Sequence, residues 1–310
     1  MPNARTLALL ALLVVPAALA AVPAPARAID FQRDVVYATP GGLELKLDAY
    51  LPDGAGPHPA VVVIHGGSWR SGDKLQLAIH ALAFARAGVA AFSIDYRLAP
   101  RHKWPAQILD CAAAVRWVRA NAGKLRVDPE RIGAFGYSAG GHLAALLGAS
   151  PDGAWREADT PADAPSARVA AVVAGGAPCD FTDVGPSSRT FVFLVGKTRA
   201  EAPDVYEKMS PVTHATADDP PMLFVHGGAD LAVGLDEPRG MIAALERVGV
   251  PADIVVLAGA GHIAAAIHPT GIDRATRFLV ERLAAKEPRE NEPAPGPGPE
   301  ARKPGGARLF

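Results

Sequence analysis

Gly136-Tyr137-Ser138-Ala139-Gly140 constrains this chain more than any other stretch of it. It joins an apolar, β-branched and aromatic run, Ile132–Tyr137, to an alanine- and leucine-rich helical stretch, Ala139–Leu147. A strand that turns straight into a helix around a serine strains the serine backbone, and side chains flanking the turn would clash. Glycines on either side remove that clash. The turn leaves the Ser138 hydroxyl at the carboxyl edge of a sheet, beside a helix N-terminus whose dipole favours a developing anion.

The rest of the chain agrees with an α/β architecture. Val35–Thr39 and Leu45–Leu51 alternate like paired strands, with Gly41-Gly42 turning between them. Ala60–His65, Val89–Asp95, Ile132–Tyr137, Val169–Ala174, Met222–His226 and Ile254–Leu257 are near-continuous apolar runs, as strands buried on both faces require. Helical stretches separate them at Lys74–Arg86, Ala106–Asn121, Ala139–Leu147, Glu237–Arg247 and Ile272–Leu283. This alternation predicts right-handed crossovers and one mostly parallel sheet with helices on both faces. Between residues 178 and 220 the periodicity weakens, and a small cap or lid is expected there.

Both ends read as something other than fold. Arg5, the apolar run Leu7–Val15 and the small-residue patterns Ala18-Leu19-Ala20 and Ala26-Arg27-Ala28 predict an export signal over residues 1–28. That places the mature protein in the periplasm or outside the cell, with no stable membrane insertion once the signal is cleaved. From 286 to 310 the chain is dense in Pro, Gly, Glu and Arg and is expected to be disordered. The catalytic domain is therefore expected over 29–285. Lys and Arg total 31 against 32 Asp and Glu, so no electrostatic footprint for nucleic acid exists. Cys111 and Cys179 are two thiols far apart, with no metal-binding spacing, and no metal or cofactor is expected.

A serine hydroxyl needs a base, and the base needs an orienting carboxylate. In a strand–turn–helix context of this kind the acid precedes the histidine along the chain. Asp230 ends the Gly-rich loop after Met222–His226, and His262 ends the Gly-rich loop after Ile254–Leu257. Asp180 and Asp183 are competing acids and His268 a competing histidine, while His65 and His142 read as structural. Oxyanion donors are expected from the Ala139 N–H and from Gly67 and Ser68 of His65-Gly66-Gly67-Ser68-Trp69, with Trp69 and Trp104 either lining an acyl or alcohol pocket or packed as core or rim aromatics.

Six stretches, HGGSW (65–69), DYRLAP (95–100), RVDPERIGAFGYSAGGHLAALLG (126–148), SPVTH (210–214), DDPPMLFVHGGAD (218–230) and GAGH (259–262), follow a known family's order. The chain resembles α/β-hydrolase esterases of the hormone-sensitive-lipase-like group, and more closely its feruloyl and acetyl-xylan esterase relatives. The resemblance implies nucleophile, acid and base at Ser138, Asp230 and His262, and an oxyanion hole at Gly67, Ser68 and Ala139. It implies hydrolysis of small-molecule or carbohydrate-linked esters, with short or aromatic acyl groups. Ser68 stands where many relatives have glycine, and Ile263-Ala264-Ala265 stands where they often place a bulky residue. Two other readings stay open: an amidase of the kynurenine-formamidase kind, which shares the H-G-G-x-W loop, and a hydrolase-shaped binding protein.

Overall fold

The apolar runs lie side by side in one eight-stranded sheet in a computed structural model that describes residues 28–284. The expected tail and all but the last residue of the expected export signal lie outside the described residues. The strands are β1 (Ile29–Ala38), β2 (Leu45–Pro52), β3 (His58–Ile64), β4 (Ala90–Ile94), β5 (Val127–Tyr137), β6 (Val172–Gly175), β7 (Met222–Gly227) and β8 (Ala252–Leu257). The helices are α1 (Ala78–Arg86), α2 (Ala106–Ala120), α3 (Ala122–Leu125), α4 (Ala139–Ala149), α5 (Val192–Val195), α6 (Pro203–Met209), α7 (Asp236–Arg247), α8 (His262–Ala266) and α9 (Pro269–Arg282).

The spatial order is β1-β2-β4-β3-β5-β6-β7-β8, with β2 antiparallel to both neighbours and every later pairing parallel. α1 and α9 pack on one face, and α2, α4 and α7 on the other. Val61, Val62, Val63 and Ile64 of the central β3 have no solvent exposure. Each such side chain contributes about 1.5–3 kcal/mol by burial, which exceeds the ~1–2 kcal/mol needed to order its backbone. A continuous apolar run therefore holds the middle of the sheet.

β3 and β5 are neighbours, yet the chain leaves β3 for α1 on one face and β5 for α4 on the other. Their carboxyl ends thus bound a crevice at the topological switch point, where open α/β sheets place their ligands.

Boundaries differ from expectation where polar residues interrupt a pattern. β1 begins at Ile29 because it is an edge strand whose polar residues face solvent, and irregular pairing between Gln32 and Val35 hides its alternation. β5 begins at Val127, with Asp128–Arg131 bulging out before the register resumes at Ile132. α1 begins only at Ala78: the Lys74 N–H donates to Asp95 Oδ1 at 2.9 Å and its carbonyl accepts from the Ser93 hydroxyl at 2.5 Å, so its backbone is tied to the end of β4. Both cysteines are buried free thiols.

Burial pulls the His65, His80 and His142 rings of the interior from an ordinary 6.5 down to about 4. The unfolded chain takes up a proton at each near pH 6.5, whereas the fold takes up none until about pH 4. The unfolded state therefore binds more protons across this window, and stability falls as pH is lowered. Thermal melts between pH 7.5 and 5, above the ordinary carboxylate range, should show Tm dropping steeply below pH 6.5. A flat Tm over that interval would show that these rings are not held neutral.

Candidate active site

Ser138 sits between β5 and α4 with φ 58° and ψ −123°, a left-handed backbone that costs a non-glycine residue about 1–3 kcal/mol. Its surroundings over-determine that conformation. The Ser138 N–H donates to the Gly175 carbonyl at 2.7 Å, and the His142 N–H donates to the Ser138 carbonyl at 3.0 Å. A Cβ at Gly140 would stand 2.0 Å from the Ile64 carbonyl oxygen, and one at Gly136 would stand 2.1 Å from that of Gly140. The two glycines of the pentapeptide thus let α4 approach the ends of β3 and β5.

The loops after β7 and β8 are zipped together by their backbones. Gly228 N–H donates to Leu257 at 2.8 Å and Ala229 N–H to Ala260 at 2.9 Å. The Tyr137 hydroxyl reaches across to the His262 carbonyl at 2.7 Å. This stitching brings Asp230, His262 and Ser138 into one line: His262 Nδ1 lies 2.6 Å from Asp230 Oδ2, and His262 Nε2 lies 2.9 Å from Ser138 Oγ. The carboxylate accepts from the Nδ1–H, so Nε2 is left unprotonated and facing the hydroxyl. The Asp230 side chain is 1% exposed and that of His262 16%. Burial pushes the Asp230 carboxyl up, but hydrogen bonds from the Val233 N–H, from His262 and from the Ala232 N–H outweigh it and hold the group below its ordinary value. Asp230 therefore stays anionic beside the imidazole.

The competing groups lie elsewhere. Asp180 accepts from Thr182, the His262 Nδ1 that Asp183 would need is paired with Asp230, and His268 caps α9 by accepting from the Thr270 N–H. His65 donates from Nδ1 to the Gly66 carbonyl at 2.7 Å and stacks on Tyr96.

Gly67, Ser68 and Trp69 have φ of 104°, 53° and 58°, three left-handed residues in succession. Such a run turns backbone N–H groups toward one point. The N–H groups of Gly67, Ser68 and Ala139 have no partner among the described residues. Ala139 opens α4, where a helix has no internal acceptor to offer. Trp69 is a core residue: it is 4% exposed, its indole N–H donates to His142 Nδ1 at 3.1 Å, and Phe181 and Phe191 pack edge-on against it. His142 in turn donates from Nε2 to the Met209 carbonyl at 2.7 Å. Of the two roles open to Trp69, the geometry favours a pillar under the loop over a pocket wall.

Two supporting residues carry no signal in the sequence. The Gln76 side-chain oxygen accepts from the Gly66 N–H at 2.7 Å and fixes the start of the loop. His226 donates from Nε2 to the Val233 carbonyl at 2.9 Å and stands 3.6 Å from Asp230 Oδ2. It thereby holds the turn whose N–H groups bind Asp230. His226→Leu should lower kcat by about tenfold or more with KM little changed, because small displacements of a catalytic group are costly. His226→Gln, which can keep the donor, should recover most of the loss; equal kcat in all three proteins would exclude this role.

A family model described as BD-FAE matches residues 47–245. The chain belongs to the BD-FAE family. The matched stretch holds the 65–69 loop, Ser138 and Asp230, and ends before His262. Among curated proteins, this BD-FAE chain is 34% identical to Esterase LipC of Mycobacterium tuberculosis over 214 residues, 66% of this chain and 53% of LipC. It thus spans about half the length of the curated relatives it matches. Among solved structures, a truncated carbohydrate esterase from gut microbiota has a TM-score of 0.73 at 28% identity, covering 85% of this chain and 99% of that one. Propionate-bound esterase 2 of Thermogutta terrifontis has a TM-score of 0.70 at 29% identity, covering 84% and 97%. The BD-FAE chain has the α/β-hydrolase fold that its motifs predict.

Proposed function

We infer that this protein is a serine carboxylic ester hydrolase acting on esters of short or aromatic acyl groups. The observation that carries the reading is the unbroken hydrogen-bond chain from Asp230 through His262 to Ser138, at a crevice with unpartnered N–H groups. His262 Nε2 takes the Ser138 proton as Oγ attacks the ester carbonyl. The N–H groups of Gly67, Ser68 and Ala139 hold the resulting oxyanion. Collapse of the tetrahedral intermediate expels the alcohol, which receives its proton from His262. Water then loses a proton to His262, attacks the acyl-enzyme and releases the acid, restoring Ser138. Asp230 keeps the imidazole in the right tautomer and stabilises its cation.

The esterase names of its relatives support the ester assignment, and the propionate and butyrate bound to the Thermogutta esterase support short acyl groups. Residues 178–220 fit the role of a small cap: Phe191 packs on Trp69, and the Arg70 guanidinium lies over the Phe193 ring at 5.6 Å. Arg5, Leu7–Val15 and the two small-residue patterns support export to the periplasm or beyond.

The test is turnover of p-nitrophenyl acetate and butyrate, methyl ferulate, acetylated xylan and N-formylkynurenine by one preparation. Ester hydrolysis with little or no formamide hydrolysis is expected. Turnover of the formamide alone would make the protein an amidase, and folded protein inert on the whole panel would leave a binding role.

A further inference from the structure

A second pocket, of about 400 Å³, lies on the flank of α6 and shares no residue with the triad or the 65–69 loop. Two indoles, Trp104 and Trp155, stand in its wall beside Pro105, Val195 and Val205. Trp104 and Trp155 meet edge to face, with ring centres 5.8 Å apart and planes at 77°. The Trp155 Nε1–H donates to Ser150 Oγ at 2.7 Å, and the Trp104 backbone N–H donates to the Leu194 carbonyl at 2.9 Å while its ring packs on His142. The rings are only partly buried, and a platform that is already rigid loses little entropy when a ligand stacks on it.

The rim is charged but balanced. Lys197, Glu201, Asp204 and Lys208 line the same pocket. Asp204 and Lys208 are 4.0 Å apart, with side chains 68% and 67% exposed. Glu201 uses only Oε2 to receive Thr198, through its N–H and its hydroxyl, and its other oxygen has no protein donor among the described residues. An anion or a cation entering here would gain from one pair of side chains and be opposed by the other. A neutral ring with an apolar face and a hydroxylated edge would use every part of the pocket. Its C–H face would lie on an indole, and its hydroxyls would donate to the carboxylates and accept from the ammonium groups.

We propose that the Trp104–Trp155 pocket binds a neutral pyranose unit of an oligosaccharide. The pocket has none of the triad or 65–69 loop residues in its lining but lies near them: Trp104 meets His142, one helical turn beyond the nucleophile, at 5.8 Å between ring centres. The site holds glycan beside the catalytic centre and supplies no group to the ester chemistry, since no triad or 65–69 residue lines it.

Xylotetraose and cellotetraose carry no ester, so their binding can be read on wild-type protein by tryptophan fluorescence and calorimetry. A saturable response to at least one is expected, weakened about tenfold by Trp155→Ala and several-fold by Asp204→Asn. Hydrolysis of p-nitrophenyl acetate, measured alongside, should be unchanged in both variants. Because Asp204 is exposed, its variant decides the matter if Trp155→Ala does not fold. No saturable response to either tetrasaccharide, or binding indifferent to both substitutions, would overturn the site while leaving the esterase reading intact. Loss of esterase activity from the wild type with saccharide binding retained would do the reverse.

Discussion

Ser138→Ala is expected to lower kcat on p-nitrophenyl butyrate by about six orders of magnitude, the size of loss a serine nucleophile's removal produces. The expectation follows from geometry. Ser138 Oγ is the atom 2.9 Å from His262 Nε2, so without it the base has no hydroxyl to activate. KM should change little, because Oγ acts on the carbonyl during attack. The N–H groups of Gly67, Ser68 and Ala139 remain, so about 10³–10⁴-fold over the uncatalysed rate should survive. A loss below tenfold would mean that ester cleavage does not pass through this hydroxyl.

Asp230→Asn should cost about four orders of magnitude in kcat with the fold unchanged. Asparagine can still accept from the Ala232 and Val233 N–H groups, which now bind Asp230 Oδ1 at 2.9 Å and 3.0 Å. Its amide would instead present a donor to His262 Nδ1, where the carboxylate oxygen now lies at 2.6 Å. The imidazole then carries its proton on Nε2 and points it at Ser138, so no base faces the nucleophile. Thermal stability within a few degrees of wild type, together with the kinetic loss, would separate this tautomer effect from unfolding. A variant retaining a tenth of wild-type kcat would show that another carboxylate orients His262.

The contrast between Asp230 and its competitors shows what a sequence can carry. Asp230 and His262 were legible because each ends a glycine-rich loop after a buried strand, and neighbouring parallel strands deliver such loops to the same edge. Asp180 also follows a strand, but it turns back on Thr182, a local hydrogen bond that spacing does not reveal. Trp69 could be read either as a pocket wall or as core; its burial depends on His142, 73 residues away, and on rings from the 178–220 segment. Gln76 and His226 carry no signal because a single side chain that holds a loop has no period and no motif. α5 and α6 are too short for a helical pattern to emerge, which is why that region read only as weak periodicity. The sheet was legible almost to the residue in β3, β4 and β7, where continuous apolar runs leave no other placement. It was least legible in β1, whose partly exposed edge mixes polar and apolar residues.

The most direct test of the central claim is covalent. Incubation with paraoxon, which phosphorylates the Thermogutta esterase, should abolish ester hydrolysis by this protein and leave one diethylphosphoryl group per chain. Peptide mass spectrometry should find it on Ser138, and Ser138→Ala should take up none. Inactivation with the label on another residue, or a wild-type enzyme that hydrolyses esters and stays unlabelled, would contradict the assignment of Ser138 as the nucleophile.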